Sequence, residues 1–304
     1  MNNPRVFMLT AVHNQIEYTK KFLKSLDKQD YHNIDVTIVD DGSNDGTYEF
    51  IKKNYPKVRL IKGDGNLWWT GSLYRGIRDI VNRSSENDYI LTINNDCTFN
   101  RKYVSSLVKV AKNDLKFIVG SCVLDNNTKK VWDAGVNIKW NYLSFSSDYK
   151  RNKYDIKHNM LCSKIFDTLS SKGTLFPISL IRKIGNFDKK NFPHYLSDYD
   201  YFYVAKKSGY IPVVSYKSLV MNKIERTGMG DSIKQNMSFR EYYNLLFSRK
   251  SKVNIVDHFK FVKKHCPTNY LALNYLVVVG KAFHYLLNVY PFVLIPKLVK
   301  VLKS

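Results

Sequence analysis

The sequence of 304 residues contains little cysteine and little proline, and far fewer acidic than basic residues. Its four cysteines, Cys97, Cys122, Cys162 and Cys266, include no C-x-x-C pair, so their spacing suits neither a zinc site nor a disulfide framework. We therefore expect four free thiols and a reducing compartment. Hydrophobic residues make up 44% of the chain, which excludes a disordered protein.

Long apolar runs are also missing. The N-terminal MNNPRVFMLTAV lacks a charged lead followed by a long apolar segment, so we predict a first strand rather than a signal peptide, and a cytoplasmic protein. In the C-terminal part no apolar run reaches about 18 residues, which argues against a spanning helix. The interrupting residues there are Asn274, Lys281, His284, Asn288, Pro291 and Pro296.

The shortage of acids leaves a net charge of +22, which indicates an anionic partner such as nucleic acid, a phosphorylated ligand or an anionic membrane. From Phe247 to the end, ten Lys and Arg residues oppose one acid, Asp257. A basic, apolar, helix-prone tail is typical of peripheral contact with the inner face of the cell membrane. Alternatively it forms a helical lid or the interface of a homo-oligomer. No RNA- or DNA-binding motif spacing occurs, so we expect no nucleic-acid partner.

Predicted strands and helices alternate in the first third of the chain. We predict strands at 5–12, 34–39, 58–63 and 88–96, and helices at 15–29, 47–55 and 72–82. This order predicts an α/β fold, Rossmann-like, with a mostly parallel central sheet flanked by helices. Residues 131–170 are polar and turn-rich. We expect a main domain at 1–240 and a basic, helical C-terminal extension at 241–304.

Polar clusters follow the predicted strands at 10–14, 40–45, 63–71 and 94–96. Ligands of parallel sheets bind beyond the carboxyl ends of the strands, so we expect these clusters to share one crevice. Asp40 and Asp41 can accept a hydrogen bond from a ring N–H of a nucleotide base, or they belong to a turn that caps the next helix.

Two further acidic clusters are candidates for chemistry. Asn94-Asn95-Asp96 ends a strand, where an acid can hold a divalent cation that bridges a diphosphate, or it forms a turn. Asp198, followed by Asp200, can act as a general base on an attacking hydroxyl, or it marks the N-terminus of a helix.

Five motifs appear together in a fixed order: DDGSxDGT, an xxD after a strand, GTLFP, IGxFDxxxF and SDYDYxxxxxKxGY. Over residues 5–225 this pattern resembles the inverting nucleotide-sugar glycosyltransferases of family 2, which have the GT-A fold. GNLWWTG is similar to the branch that includes bacterial rhamnosyltransferases of surface polysaccharides. The resemblance implies sugar transfer from dTDP-rhamnose or a UDP-sugar to a glycan or lipid-linked acceptor.

The resemblance also implies donor-binding roles. Thr10 matches the position beside the nucleotide base, and Asp40 with Asp41 matches the pair that contacts base and ribose. Gly173 and Thr174 match the loop that closes beneath the donor sugar.

Catalytic and metal-binding roles follow from the same resemblance. Asn94-Asn95-Asp96 matches the metal-binding motif, in which Asn95 and Asp96 face the diphosphate and Asp96 is a ligand of Mg²⁺ or Mn²⁺. Asp198 matches the catalytic base, with Ser197 in place of the usual Glu, and Asp200 matches an acid that is more often structural.

Two departures from the family pattern concern the metal. Asn94 replaces the first acid of the motif, and Asn222 stands where many members have His. Arg226 lies nearby, and its cation can partly replace a metal contact on the diphosphate.

The paired tryptophans of GDGNLWWTG lie between a predicted strand and a predicted helix. Gly65 lets the backbone approach a ligand, and Asn66 can hydrogen-bond to it. We expect one of Trp68 and Trp69 to line the ligand pocket and the other to pack into the core. A nucleotidyltransferase on a similar sheet is the alternative enzyme, although the sequence has no glycine-rich segment with a catalytic lysine near its start.

Overall fold

A computed structural model describes residues 3–146, 165–222 and 238–289. Within them strands and helices alternate as predicted as far as the fourth strand. The strands are β1 Val6–Val12, β2 Ile34–Asp40, β3 Arg59–Lys62, β4 Tyr89–Thr92, β5 Cys97–Phe99, β6 Phe117–Asp125, β7 Val131–Asp133, β8 Asn137–Lys139, β9 Ser144–Ser146, β10 Thr174–Pro177 and β11 Ile211–Asn222. The helices are α1 Ile16–Leu26, α2 Thr47–Asn54, α3 Trp68–Val81, α4 Tyr103–Ala111, α5 Ile178–Ile184, α6 Ser197–Lys207, α7 Phe239–Phe247, α8 Ile255–His265 and α9 Leu271–Val289.

The central sheet is mixed. Its path is β3-β2-β1-β4-β10-β6-β11-β5, and β7 pairs with β6. The half formed by β3, β2, β1 and β4 is parallel, as predicted, whereas β10 runs antiparallel to both β4 and β6. The turn-rich stretch after residue 131 contains the short strands β7, β8 and β9, which composition did not reveal because each has only three residues.

Both faces of the sheet are buried. Phe7 and Leu9 of β1 belong to one apolar cluster, which α3, α5 and α6 complete. Val6 and Met8, which point to the opposite face, belong to a second cluster, covered by α1, α2 and α4. Strands buried on two faces are apolar at nearly every position, which is why RVFMLTAV does not alternate.

The described residues divide into two compact units. The first contains the described residues up to Asn137, together with Ser146–Pro193 and the stretch from Ser197 to Asn222. The second contains Ile138–Phe145, His194–Leu196 and the described residues from 238 onward. The predicted domain boundary at residue 240 stays a prediction.

The second unit is built around α8, α9 and the connection between β8 and β9. Leu143, Val262 and Val278 form its apolar centre. Asn274 of α9 donates from its side-chain Nδ2 to the carbonyl of Trp140 (2.6 Å), and Lys281 Nζ donates to the carbonyl of Leu143 (2.6 Å). In the described part of the chain, none of the helices has the length and hydropathy that a bilayer crossing requires.

Candidate functional site

The carboxyl ends of β3, β2, β1 and β4 lie side by side because these strands are parallel neighbours. The polar clusters 10–14, 40–45, 63–71 and 94–96 follow these four ends, and we call this edge of the first unit the strand-end site. Two shallow concavities of about 650 and 560 Å³ lie instead near the start of β2. Their linings contain none of the candidate residues.

Asp41 holds the start of α3. Its Oδ1 accepts the backbone N–H groups of Gly65 (2.9 Å) and Leu67 (3.2 Å), and its Oδ2 accepts that of Trp68 (2.9 Å). The first N–H groups of a helix have no partner within the helix, so this carboxylate caps α3 from a distant segment. The predicted start at residue 72 is therefore wrong: α3 begins at Trp68, and the two tryptophans occupy its first turn.

The two tryptophans have different surroundings. Trp68 is half-buried and has a φ of 59°, a left-handed conformation that is strained for a bulky side chain. Trp69 packs against the apolar cluster on the α3 side of the sheet, and its Nε1–H donates to Ser171 Oγ (3.1 Å). Gly65, with a φ of 87°, and Asn66 are exposed in the loop before them.

Asp40 and Thr10 are more deeply placed. Thr10 is completely buried in β1, and Asp40 is 1% exposed. One oxygen of Asp40 accepts the N–H of Ser43 (2.7 Å), whereas Oδ2 is buried and has no hydrogen-bond partner in the described structure. An unsatisfied buried carboxylate oxygen carries a desolvation cost that the surrounding fold must offset.

Asp96 and Asn222 meet at the end of the 94–96 cluster. Because β11 runs antiparallel to β5 and pairs Asn222 with Cys97, the side-chain Nδ2 of Asn222 donates to Asp96 Oδ1 (2.8 Å). The Oδ1 of Asn222 is buried without a hydrogen-bond partner among the described residues. Asn95 is turned the other way, and its Nδ2 donates to Thr19 Oγ1 (3.1 Å).

Asp198 lies in the first turn of α6. Its Oδ2 accepts from the backbone N–H (3.0 Å) and the hydroxyl (3.3 Å) of Ser171, and its Oδ1 accepts from the N–H of Tyr199 (2.9 Å). Burial raises the pKa of the Asp198 carboxyl, with the charge of Asp133 adding to the effect, and the two backbone hydrogen bonds oppose it. In the described part of the chain, no Lys or Arg forms an ion pair with Asp198. Asp200, two residues later in α6, is buried.

Gly173 and Thr174 lie beside the end of β4. The Gly173 N–H donates to the carbonyl of Thr92 (2.9 Å), and Thr174, the first residue of β10, donates from Oγ1 to the carbonyl of Ser170 (2.6 Å). Both are therefore held by the sheet next to the 94–96 cluster. Arg226 lies outside the described residues.

Ser171 is the site residue that sequence reasoning missed. It lies two residues before the GT of GTLFP and carries no motif of its own. Only the folded chain brings it to Asp198, 27 residues later.

A family model described as glycosyl transferase family 2 matches residues 8–169, which is more than half of the chain. The match includes all four polar clusters of the strand-end site and ends before Ser171, Gly173, Thr174, Asp198 and Asn222. The chain belongs to glycosyl transferase family 2.

Two solved structures support the fold of this family 2 glycosyltransferase. One is the mannosyltransferase PcManGT from Pyrobaculum calidifontis in complex with GDP-Man and Mn²⁺, with 13% identity and a TM-score of 0.58 over 94% of this chain and 74% of that one. The other is GalNAc-T7 with UDP, GalNAc and Mn²⁺, with 10% identity and a TM-score of 0.61 over 95% of this chain and 58% of that one. A comparison with curated proteins finds no match.

These likenesses establish the fold alone, and with the family match they confirm the predicted GT-A class with C-terminal helices. The family also favours sugar transfer over the alternatives of a nucleotidyltransferase and a nucleic-acid-binding protein. The narrower resemblance to rhamnosyltransferases stays a prediction.

Proposed function

We propose that this family 2 glycosyltransferase moves a sugar, with inversion, from dTDP-rhamnose or a UDP-sugar to a glycan or lipid-linked acceptor of bacterial surface polysaccharide synthesis. The observation that carries the proposal is the Asp198 carboxylate, which two segments hold in place and which forms no ion pair with a Lys or Arg among the described residues. A carboxyl with a raised pKa is a better proton acceptor at neutral pH than an ordinary one.

In the proposed reaction Asp198 takes the proton of the acceptor hydroxyl as this oxygen attacks the anomeric carbon from the face opposite to the leaving group. Ser171 and Tyr199 fix both carboxylate oxygens, so the base is oriented before the acceptor arrives. The bond from the anomeric carbon to the diphosphate breaks, and negative charge develops on the diphosphate.

Asp96 and Asn222 fit a divalent cation at the leaving diphosphate. One carboxylate and one unsatisfied amide oxygen lie together there, and Mg²⁺ or Mn²⁺ needs few protein ligands when phosphates supply the rest. Among the described residues, no three or more His, Cys, Asp or Glu side chains form a cluster that could hold a metal without phosphate ligands. Both structural neighbours were solved with Mn²⁺, which supports a cation that the donor helps to bind. The cation would neutralise the charge that develops on the diphosphate.

The donor is proposed to bind along the strand-end site. Thr10, Asp40 and Asp41 would face the base and ribose, with Trp68 beside the base or the sugar. Since the backbone N–H groups of Gly65, Leu67 and Trp68 already occupy three acceptor positions of Asp41, that carboxylate would act on the donor chiefly by holding the loop before α3.

Calorimetry with UDP, dTDP and GDP, with and without Mn²⁺, tests the donor site. We expect one diphosphate to bind with the help of Mn²⁺, and Asp96→Ala to remove that help. If the folded protein bound none of the three, the proposal would fail.

Turnover tests the base. Asp198→Asn should reduce turnover by roughly 10²–10⁴-fold, the size of a general-base contribution, and leave nucleotide affinity nearly unchanged. Asp167→Asn is the matched control, because the Asp167 carboxylate forms an ion pair with Lys206 of α6, the helix that carries Asp198. Near-normal turnover in Asp198→Asn would rule out the base.

We also propose that the second unit rests on an anionic membrane surface, where a lipid-linked acceptor is found. Helices α7 and α9 lie together, since Tyr242 Oη donates to the carbonyl of Ala282 (2.8 Å). Each presents a row of exposed apolar side chains at helical spacing. The rows are Phe239, Tyr243 and Phe247 on α7, and Leu273, Leu276, Val279 and Phe283 on α9.

Charge favours a lipid surface as the occupant of these rows. The described residues from 238 onward carry eight Lys and Arg and two acids, Glu241 and Asp257. Glu241 is engaged in a capping box with Ser238, and Asp257 is buried, so the exposed charge is almost entirely positive. Exposed apolar side chains surrounded by cations are typical of helices that lie in an anionic interface.

Sedimentation with vesicles of phosphatidylglycerol and phosphatidylcholine tests this surface. Leu276→Gln should weaken binding several-fold, whereas Leu115→Gln, which changes an equally exposed leucine (75% against 69%) of the first unit, should not. Equal binding by both variants would contradict the proposal, and a monomer produced by Leu276→Gln from a dimeric wild type would identify a second copy as the occupant.

A further inference from the structure

Three side chains from separate segments form one line of hydrogen bonds that ends on the proposed base. Trp69 Nε1 donates to Ser171 Oγ (3.1 Å), and Ser171 Oγ donates to Asp198 Oδ2 (3.3 Å). We propose that Ser171 and Trp69 are positioning residues that hold Asp198 in its reactive orientation and charge state. This inference rests on the proposed role of Asp198.

The chemistry of the three groups fixes the direction of the line. An indole nitrogen is only a donor, so Ser171 Oγ must accept from Trp69. The single hydroxyl proton of Ser171 is then directed to Asp198, whose ionised carboxylate only accepts. Without the indole, the hydroxyl proton is free to turn elsewhere, so Trp69 acts on Asp198 through Ser171.

The surroundings make this arrangement rigid. Ser171 is 2% exposed, so water does not compete for its hydroxyl. Trp69 packs against the core, and the start of its helix is held by Asp41. Asp41, which is assigned to the donor, is therefore connected to Asp198, which is assigned to the acceptor, through α3 and Ser171.

Loss of the line should change the protonation of Asp198 in a defined direction. Burial and Asp133 already raise the pKa of Asp198, and a donated hydrogen bond stabilises the ionised form. Removal of the Ser171 hydroxyl should raise that pKa further. Since the ionised carboxylate is the active form, the acidic limb of the kcat profile should move to higher pH.

Kinetics of five variants, Asp198→Asn among them, test the proposal. The rate measured is that of nucleoside diphosphate release from dTDP-rhamnose, a UDP-sugar or GDP-mannose, with water taking the place of the acceptor hydroxyl. Ser171→Ala should shift the acidic limb up by about one unit and lower kcat about tenfold on that limb, because a hydrogen bond to a charged group is lost. Trp69→Phe should shift it in the same direction, but not when Ser171→Ala is already present. Ser170→Ala, which removes the neighbouring hydroxyl, is the control.

Each outcome has one meaning. If Asp198→Asn abolishes turnover while Ser171→Ala leaves the limb in place, the line of hydrogen bonds is refuted and the base stands. If the two substitutions shift the limb additively, Trp69 contributes packing and not a hydrogen bond, which also overturns the proposal. If Asp198→Asn keeps normal turnover, the proposed function itself fails.

A spectroscopic measurement needs no substrate. The indole ¹H–¹⁵N signal of Trp69, one of four tryptophans, can be assigned by its loss in Trp69→Phe. It should shift with pH as Asp198 titrates, and the shift should vanish in Ser171→Ala and in Asp198→Asn. A titration that persists unchanged in Ser171→Ala would refute the proposal even if no donor were turned over.

Discussion

Replacement of Asp41 by alanine removes the carboxylate that accepts three backbone N–H groups at the start of α3. A hydrogen bond to a charged group contributes about 1.5–3 kcal/mol to stability. The bond to Gly65 is on exposed backbone, where water replaces it, so we count only those to the half-buried Leu67 and Trp68. Their loss gives an upper range of about 3–6 kcal/mol.

Release of strain reduces this cost. Trp68 is held at a φ of 59°, and a residue in that region stores about 1–3 kcal/mol that it recovers when its anchor is lost. Subtracting the lower ends and the upper ends of these two ranges, we expect Asp41→Ala to destabilise the first unit by about 2–3 kcal/mol. At about 2–4 °C per kcal/mol for a unit of this size, the melting temperature should fall by about 4–12 °C.

Thermal unfolding followed by tryptophan fluorescence measures the effect, because Trp68 and Trp69 lie at the altered helix start. Asp41→Asn keeps one acceptor oxygen and should lose about half as much. The matched control is Asp64→Asn, whose carboxylate lies in the same loop and accepts one exposed N–H, from Asn66 (2.9 Å). A melting temperature of Asp41→Ala within about 2 °C of the wild type would refute the cap, since that is less than the smallest loss calculated from it.

Two further predictions concern the loop and the second unit. Gly173→Ala should destabilise the protein by more than about 2 kcal/mol, because φ is 90° and the new Cβ would lie 2.6 Å from Ser121 Oγ. Gly209→Ala is the control for backbone strain alone, because φ is 91° there and the space around the new Cβ is open. Equal free energies of unfolding for the two variants would contradict the predicted crowding at Gly173. Burial raises the pKa of the Asp257 carboxyl in the folded state. The contribution of Asp257 to the free energy of unfolding is therefore fully present below the unfolded pKa of about 3.9, and it is lost as pH rises through the folded pKa. Asp257→Asn should therefore gain stability relative to the wild type between pH 4 and pH 7, and a constant difference in melting temperature over this range would contradict that assignment.

The sequence by itself determined the alternation of strands and helices and the positions of the acids at strand ends. Apolar runs such as VFMLTAV and VTIV can be recognised from the sequence alone, since a strand buried on both faces must be apolar at nearly every residue. The order of motifs likewise predicted the family, because each motif is a short contiguous stretch. These features need no knowledge of which segments meet.

Other features depended on contacts between distant segments. Helix α3 begins at Trp68 and not at the predicted residue 72, because Asp41, more than 20 residues earlier, supplies the cap that the local sequence lacks. Antiparallel β10 entered the sheet between β4 and β6, a pairing that no local pattern encodes.

The partners of the candidate residues were also decided by the tertiary structure. Asn222 lies beside Asp96 because β11 pairs with β5. Ser171 lies beside Asp198 because β10, which follows Ser171, is a strand of the central sheet and α6 packs on one face of that sheet. Sequence supplied the carboxylates and their order. Their hydrogen bonds, and the raised pKa of Asp198 with them, come from burial and from donors that only the folded chain brings within 3.3 Å.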